Sequence, residues 1–246
     1  MKLHVKCSTM LTTMFSAALV SCGGGGNDAN PSNTRPLEID FKTPTRAAML
    51  SGQTTFVTVT QSGSKTCTGS GSISQDPAIP SEFIVSPTQK IPALVHSTTH
   101  SWTWNNCDSS PNHLSAVTYI NDLESTPLAF SSEARYGAYA IPQIFPNKIK
   151  AGDTGSFGYI AMFADASQTI SIGYANHAYS VAGDKSPDSL MITFVTNFYD
   201  ANDEPIETGI QIRRLSMDGT ITFISDEIRF PQTGEVIAFK TIRSGI

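Results

Sequence analysis

The sequence predicts an all-β fold: a mainly antiparallel sandwich or open barrel of roughly ten strands. Three observations lead there. No long segment repeats apolar residues at helical spacing, and Thr, Ser, Ile, Val and aromatic residues recur in short alternating runs. The last quarter of the chain reads as four strands joined by three turns. In that section "SLMITFVTNFY" puts Leu190, Ile192, Phe194 and Phe198 on one side of a strand. "TGIQIRRLS", "TITFISDEIRF" and "EVIAFKTIR" follow after connections of hairpin length. Asp218-Gly219 is the strongest hairpin signal in the chain. Residues 188–243 are therefore expected to form a four-stranded antiparallel meander.

Upstream, "QTTFVTVT" and "CTGSGSIS" read as a strand pair, and "ALVHSTTHSWTWNNC" as a long strand ending at Cys107, with "HLSAVTYI" leading into another. The Pro-containing stretch 136–155 is less regular and marks the seam if the domain, residues 37–246, is divided. Beyond it, "SFGYIAMFA" and "TISIGYANHAYSV" are apolar enough on both faces to lie centrally. No internal repeat suggests a solenoid or propeller.

The N-terminus reads as an address. Lys2 and Lys6 precede a short, weakly apolar stretch, Met10 to Val20, broken by Thr12, Thr13 and Ser16. A spanning helix needs about 20 apolar residues, so residues 1–21 read as an export signal. Leu19-Val20-Ser21-Cys22 resembles the lipobox of bacterial lipoproteins. That resemblance implies cleavage before Cys22, diacylglycerol on its sulfur and usually an acylated amine. It makes the membrane a partner through the lipid. Each buried methylene contributes about 0.8 kcal/mol, and two or more chains hold stably. Residues 22–36 carry four glycines after the cysteine and would act as a flexible tether of roughly 20 Å. Gly23 stands where an aspartate would retain such a protein at the inner membrane, so the resemblance implies the outer membrane.

Without residues 1–21 the chain has 225 residues, and losing Lys2 and Lys6 leaves 14 Lys plus Arg against 21 Asp plus Glu, a net charge of −7. Nucleic acid is a poor partner for such a surface. Cys7 departs with the signal and Cys22 is the lipid site, which leaves Cys67 and Cys107 in an oxidising compartment, where a disulfide is expected.

Candidate sites are few. His96 and His100 are four apart, which on a strand separates them by roughly 13 Å, too far to share a zinc ion. His100, Trp102 and Trp104 share one strand face, either as core or as a ligand face. Asp200, Asn202, Asp203, Glu204 and Glu207 form an acidic hairpin loop without the glycine of an EF-hand. Ser62-Gly63-Ser64-Lys65 matches S-x-x-K in a turn, where no helix presents the serine. No metal, cofactor or catalytic residue is expected from these patterns. The leading expectation is a non-catalytic, lipid-anchored envelope module that serves in binding or as an accessory, with an unidentified protein or small apolar ligand as its partner. The alternative is carriage of an apolar ligand or lipid in a curved sheet, lined by Trp102, Trp104, Phe157 or Phe163. An envelope hydrolase is the third reading, and it would need histidine and carboxylate side chains gathered in a cleft.

Overall fold

The computed structural model describes residues 37–86, 88–107, 112–140 and 146–242. The expected signal, Cys22 and the tether lie outside them. The chain is all-β, as its alternation predicts, and the sheet closes on itself instead of forming a sandwich or an open barrel.

The strands, in chain order, begin with β1 (Glu38–Asp40), helix α1 (Lys42–Ser51), β2 (Gln53–Ser62), β3 (Cys67–Gln75), β4 (Ile79–Ser86) and β5 (Gln89–Trp104). There follow β6 (His113–Asn121), β7 (Pro127–Ser132), β8 (Tyr136–Tyr139), β9 (Lys148–Lys150), β10 (Thr154–Phe163) and β11 (Ser171–Gly183). The expected meander is β12 (Ser189–Asp200), β13 (Pro205–Ser216), β14 (Ile221–Phe230) and β15 (Glu235–Thr241). Twelve strands form the wall in the order β2, β3, β5, β6, β7, β8, β10 to β15, every neighbour antiparallel. Pairing of β15 with β2 closes the ring, with Phe239 opposite Val59. Residues 136–155 contribute β8 to the wall and β9 to a small ladder with β1.

Alternation decides what faces inward. On β2, Val57 and Val59 are fully buried while Thr58 and Thr60 are exposed. Opposite them on β3 lie Gly71 and Gly69, which pair on their other side with Trp102 and Trp104 of β5. These two glycines leave room for a close approach of the two backbones. A Cβ on Gly71 would lie 2.1 Å from the Ser101 carbonyl oxygen, and one on Gly69 2.2 Å from that of Thr103. The missing side chains let β3 approach β5, and the two indoles pack edge-on, 6.0 Å apart, beside that approach. Cys67 and Cys107 are disulfide-bonded where this seam ends.

One end of the barrel is plugged. Ile39, Phe41 and Ile149 from the β1–β9 ladder cluster with Phe157, Val181, Leu190, Ile192 and Leu215. Helix α1 runs beside them. Its Met49 packs on Ala78, Leu94 and Ile120, and Lys42 and Arg46 pair with Glu124 (2.8 Å) and Asp122 (2.6 Å) of the β6–β7 connection. Pro44 is tolerated because it sits in the first turn, whose N–H groups have no helical acceptor. Gly52, at φ 65°, ends the helix where a Cβ would strike Pro77.

Two outcomes follow for the seam. Gly71→Ala should lower stability by more than the ~1 kcal/mol typical of point changes, read as a drop in denaturation midpoint. Cys67→Ala and Cys107→Ala should each cost up to about 4 kcal/mol on the chain-entropy account of a 40-residue separation. The double change should add little, because both delete one covalent link. Free alkylation of both thiols without reduction would remove the premise.

Candidate functional site

Strand β13 turns polar side chains inward and isoleucines outward. Its neighbours fix which side is inside: Leu215 pairs with buried Leu190, Arg213 with buried Ile192, and Gln211 with Phe194 and buried Asp226. Gln211 and Arg213 therefore face the interior, and Ile210 and Ile212 face outward. A bulge in β14 completes the reversal. Arg213 pairs with Phe223 and Ile212 with Ser225, so Ile224 is extra and Asp226 is carried to the inner face.

These shifts assemble a buried polar group against the aromatic wall. Arg213 Nη1 donates to Asp226 Oδ1 at 2.8 Å, and His100 Nε2 meets Asp226 Oδ2 at 3.2 Å. The Arg213 guanidinium lies over the Phe223 ring at 4.5 Å, and His100 is edge-on to Phe239 at 5.0 Å. Burial alone would raise the Asp226 pKa. The Arg213 charge and the hydrogen bonds from His100 and Arg213 outweigh it, so the carboxyl titrates below its ordinary range.

Two further polar pairs face inward. Tyr139 Oη donates to His177 Nδ1 at 2.8 Å, a bond that suits neutral imidazole with its proton on Nε2. Burial lowers the His177 pKa to about 4 and raises that of Tyr139. Both carboxylate oxygens of Glu207 accept from Arg135 Nη2 at 2.7 Å, and that guanidinium lies over Phe198 at 4.1 Å. His96 Nδ1 and the Nε1 atoms of Trp102 and Trp104 are buried without a hydrogen-bond partner among the described residues. Gln211 is exposed although its paired neighbours face inward, so solvent-accessible space borders it inside the wall.

The sequence-singled residues divide. His100, Trp102 and Trp104 do share one face, the inner one, and Trp102 packs with Val57, Val59, Ile73, Phe223, Ile237 and Phe239. Trp102 and Phe157 belong to separate clusters, and Phe163 alternates with inward Met162, so these aromatics do not line one common cavity. Glu207 leaves the acidic loop for Arg135. Asp200 instead accepts from the backbone N–H groups of Asn202 and Glu204 and shapes the turn. Ser64 of the S-x-x-K stretch bonds Glu235 in an exposed turn.

No protein-family model matches the chain, and no curated protein matches it. A crystal structure of a DUF1329 family protein from Desulfovibrio piger is similar at a TM-score of 0.27 and 9% identity, covering 85% of this chain and 95% of that one.

Chemically, the Asp226 group is saturated. One carboxylate oxygen is held by Arg213 and the other by His100, and among the described residues no hydroxyl or thiol donates to His100. That arrangement holds charge in place better than it activates a nucleophile, for which the histidine must also reach the attacking atom.

Arg213→Met should cost about 3–5 kcal/mol in denaturant titration, because it strands a buried carboxylate. Pairing it with Asp226→Leu should recover much of the loss. Acid should weaken the fold in two steps. With His177 at about 4 in the folded chain and near 6.5 unfolded, the unfolded state binds the extra proton between those values. Stability is then full above pH 6.5 and falls by about 3 kcal/mol toward pH 4. Asp226, depressed from 3.8, adds stability above that value that is lost as pH falls further. Urea titrations at pH 7 and 4.5 test the first step, and His177→Gln should lose less between them.

Proposed function

We propose that this protein is a lipid-anchored module of the bacterial cell envelope, held at the outer membrane through Cys22, that binds an amphipathic small ligand inside its barrel. The observation that carries the binding role is the reversed strand β13, which turns Gln211 and Arg213 inward and isoleucines outward. A barrel needs no such reversal to be stable: buried ion pairs are commonly matched or bettered by apolar side chains of similar volume. A wall that carries Asp226, Arg213, His100 and His177 beside Phe194, Phe223 and Phe239 suits a ligand with an apolar body and a polar group. A wholly apolar ligand or lipid tail would lie against charge, which disfavours the carrier reading in its simplest form. The saturated state of Asp226 likewise favours binding over hydrolysis.

Export rests on the lipobox and is supported by the Cys67–Cys107 disulfide, which belongs to an oxidising compartment. Cys22→Ser should abolish incorporation of a labelled fatty acid, and label that persists on the variant would defeat the anchor. For the interior, an anilinonaphthalene sulfonate dye is a suitable amphipathic probe. It should bind the folded chain saturably, and Gln211→Glu should weaken it about tenfold, or 1.4 kcal/mol, by setting a carboxylate against the sulfonate. Absence of saturable binding, or indifference to that substitution, would overturn the interior site.

A further inference from the structure

The plugged end carries a structure the barrel does not need. Strand β4 pairs with the first half of β5, from Ile79 opposite Val95 to Ser86 opposite Gln89, and forms the end of the sheet. Strand β6 joins β5 only from Ala93 onward, with Asn121 opposite it. Beyond that point, residues 82–86 and 89–92 make a two-stranded ribbon with no third strand among the described residues. An isolated ribbon of this kind is marginal in water. This one also exposes Ile84 (61%) and Val85 (50%), while Glu82 and Lys90 pair with each other at 2.7 Å and leave the ribbon without net charge. Leu50 on α1 and Leu123 beside the Lys42 and Arg46 pairs are exposed at the same end.

What covers these residues is indicated by where the chain comes from. The described chain starts at Leu37, immediately before β1, and β1 belongs to the plug. A glycine-rich stretch of the length of residues 22–36 spans roughly 20 Å on average, so acyl chains on Cys22 would hold the start of β1 within about that reach of a bilayer. We propose that the β4–β5 ribbon is a second membrane contact, with Ile84 and Val85 set among the lipid headgroups. This rests on the lipid anchor. The neutral ribbon suits that surface, because the acidic remainder of the mature chain is repelled by anionic headgroups. Side chains docked this way reach about 5–10 Å into the boundary between headgroups and acyl chains, a shallow insertion that steadies orientation without spanning.

The test uses the full lipoprotein in phosphatidylcholine–phosphatidylglycerol vesicles, with and without bromine on the upper acyl chains. Ile84→Trp reports on the ribbon, and Gln232→Trp, in the exposed β14–β15 turn at the opposite end, serves as reference, both after subtraction of the unsubstituted chain. Bromine should quench Ile84→Trp emission about twofold, consistent with the insertion depth above, and leave Gln232→Trp unchanged. Equal quenching at both positions overturns the proposal. So does no quenching at Ile84→Trp, whether the protein is monomeric or cross-links as a pair that hides the ribbon. Fatty-acid labelling of the same sample separates the two ideas. Labelled protein without quenching defeats the ribbon contact alone, and unlabelled protein defeats the anchor and the contact together.

Discussion

The close approach of β3 to β5 is the constraint on which the rest depends. A closed wall leaves no sheet edge unpaired around its circumference, but the last gap can be sealed only if two backbones come near enough to exchange hydrogen bonds. Here one of the two is "CTGSGSIS", which has little apolar area and strong reasons to stay unfolded. Its weakness is offset from outside: the indoles of Trp102 and Trp104 pack where glycine leaves room, Val57 and Val59 back it from β2, and the disulfide shortens the excursions of its unfolded form. Phe239 touches both Trp102 and His100 around this seam. The polar group at Asp226 is thereby tied to the same packing that closes the barrel.

Closure makes the polar interior expensive. In an open sheet, Arg213 and Asp226 could keep water on one side; within a closed wall they exchange it for each other, His100 and two aromatic rings. The Coulomb attraction of a buried pair commonly fails to exceed the desolvation of both charges, so the arrangement is not explained by stability. Its geometry is nevertheless held from several sides. Arg213 is stacked on Phe223, His100 lies against Phe239, and Arg135 repeats the motif over Phe198 with Glu207. Charged groups clamped in this way would offer fixed dipoles to a ligand of the proposed kind at low reorganisation cost.

The parts of the fold legible in the sequence are those where local and global preferences agree. "TTFVTVT" alternates as β2 does, Leu190, Ile192, Phe194 and Phe198 all face inward as their spacing implies, and the last two cysteines pair. The site was hidden because two strands break that agreement. From "GIQIRRLS" the isoleucines read as the buried set, yet β13 buries the intervening positions, and only its partners across the sheet determine this. In "TITFISDEIRF" strict alternation from Phe223 points to Ser225 and Glu227, whereas the bulge substitutes Asp226 and Ile228. A one-residue slip exchanges the faces of a strand, and a lone sequence carries no mark of it. Helix α1 is not legible for a simpler reason: with Phe41 at its N-cap, three threonine or serine residues and no fully buried side chain, it has neither a capping signal nor a strong apolar stripe.

The two ends of the barrel carry different duties in the proposed arrangement, and this bears on the ligand. If the acyl chains and the β4–β5 ribbon hold the plugged end against the bilayer, a molecule leaving the membrane meets the β1–β9 ladder and α1 before it meets the interior. That barrier is well made. Ile39, Phe41 and Ile149 are almost fully buried against Phe157, Leu190 and Leu215, and the helix is fixed at both Lys42 and Arg46. A lipid carrier would place its opening toward its source and would need this end to yield. In that arrangement the opposite end, where the Cys67–Cys107 bridge and the Arg135–Glu207 pair lie, would face the aqueous side. Under the proposed anchor, the polar lining and the position of the plug would favour the same class of ligand: a water-borne amphipathic molecule that enters from the end away from the membrane.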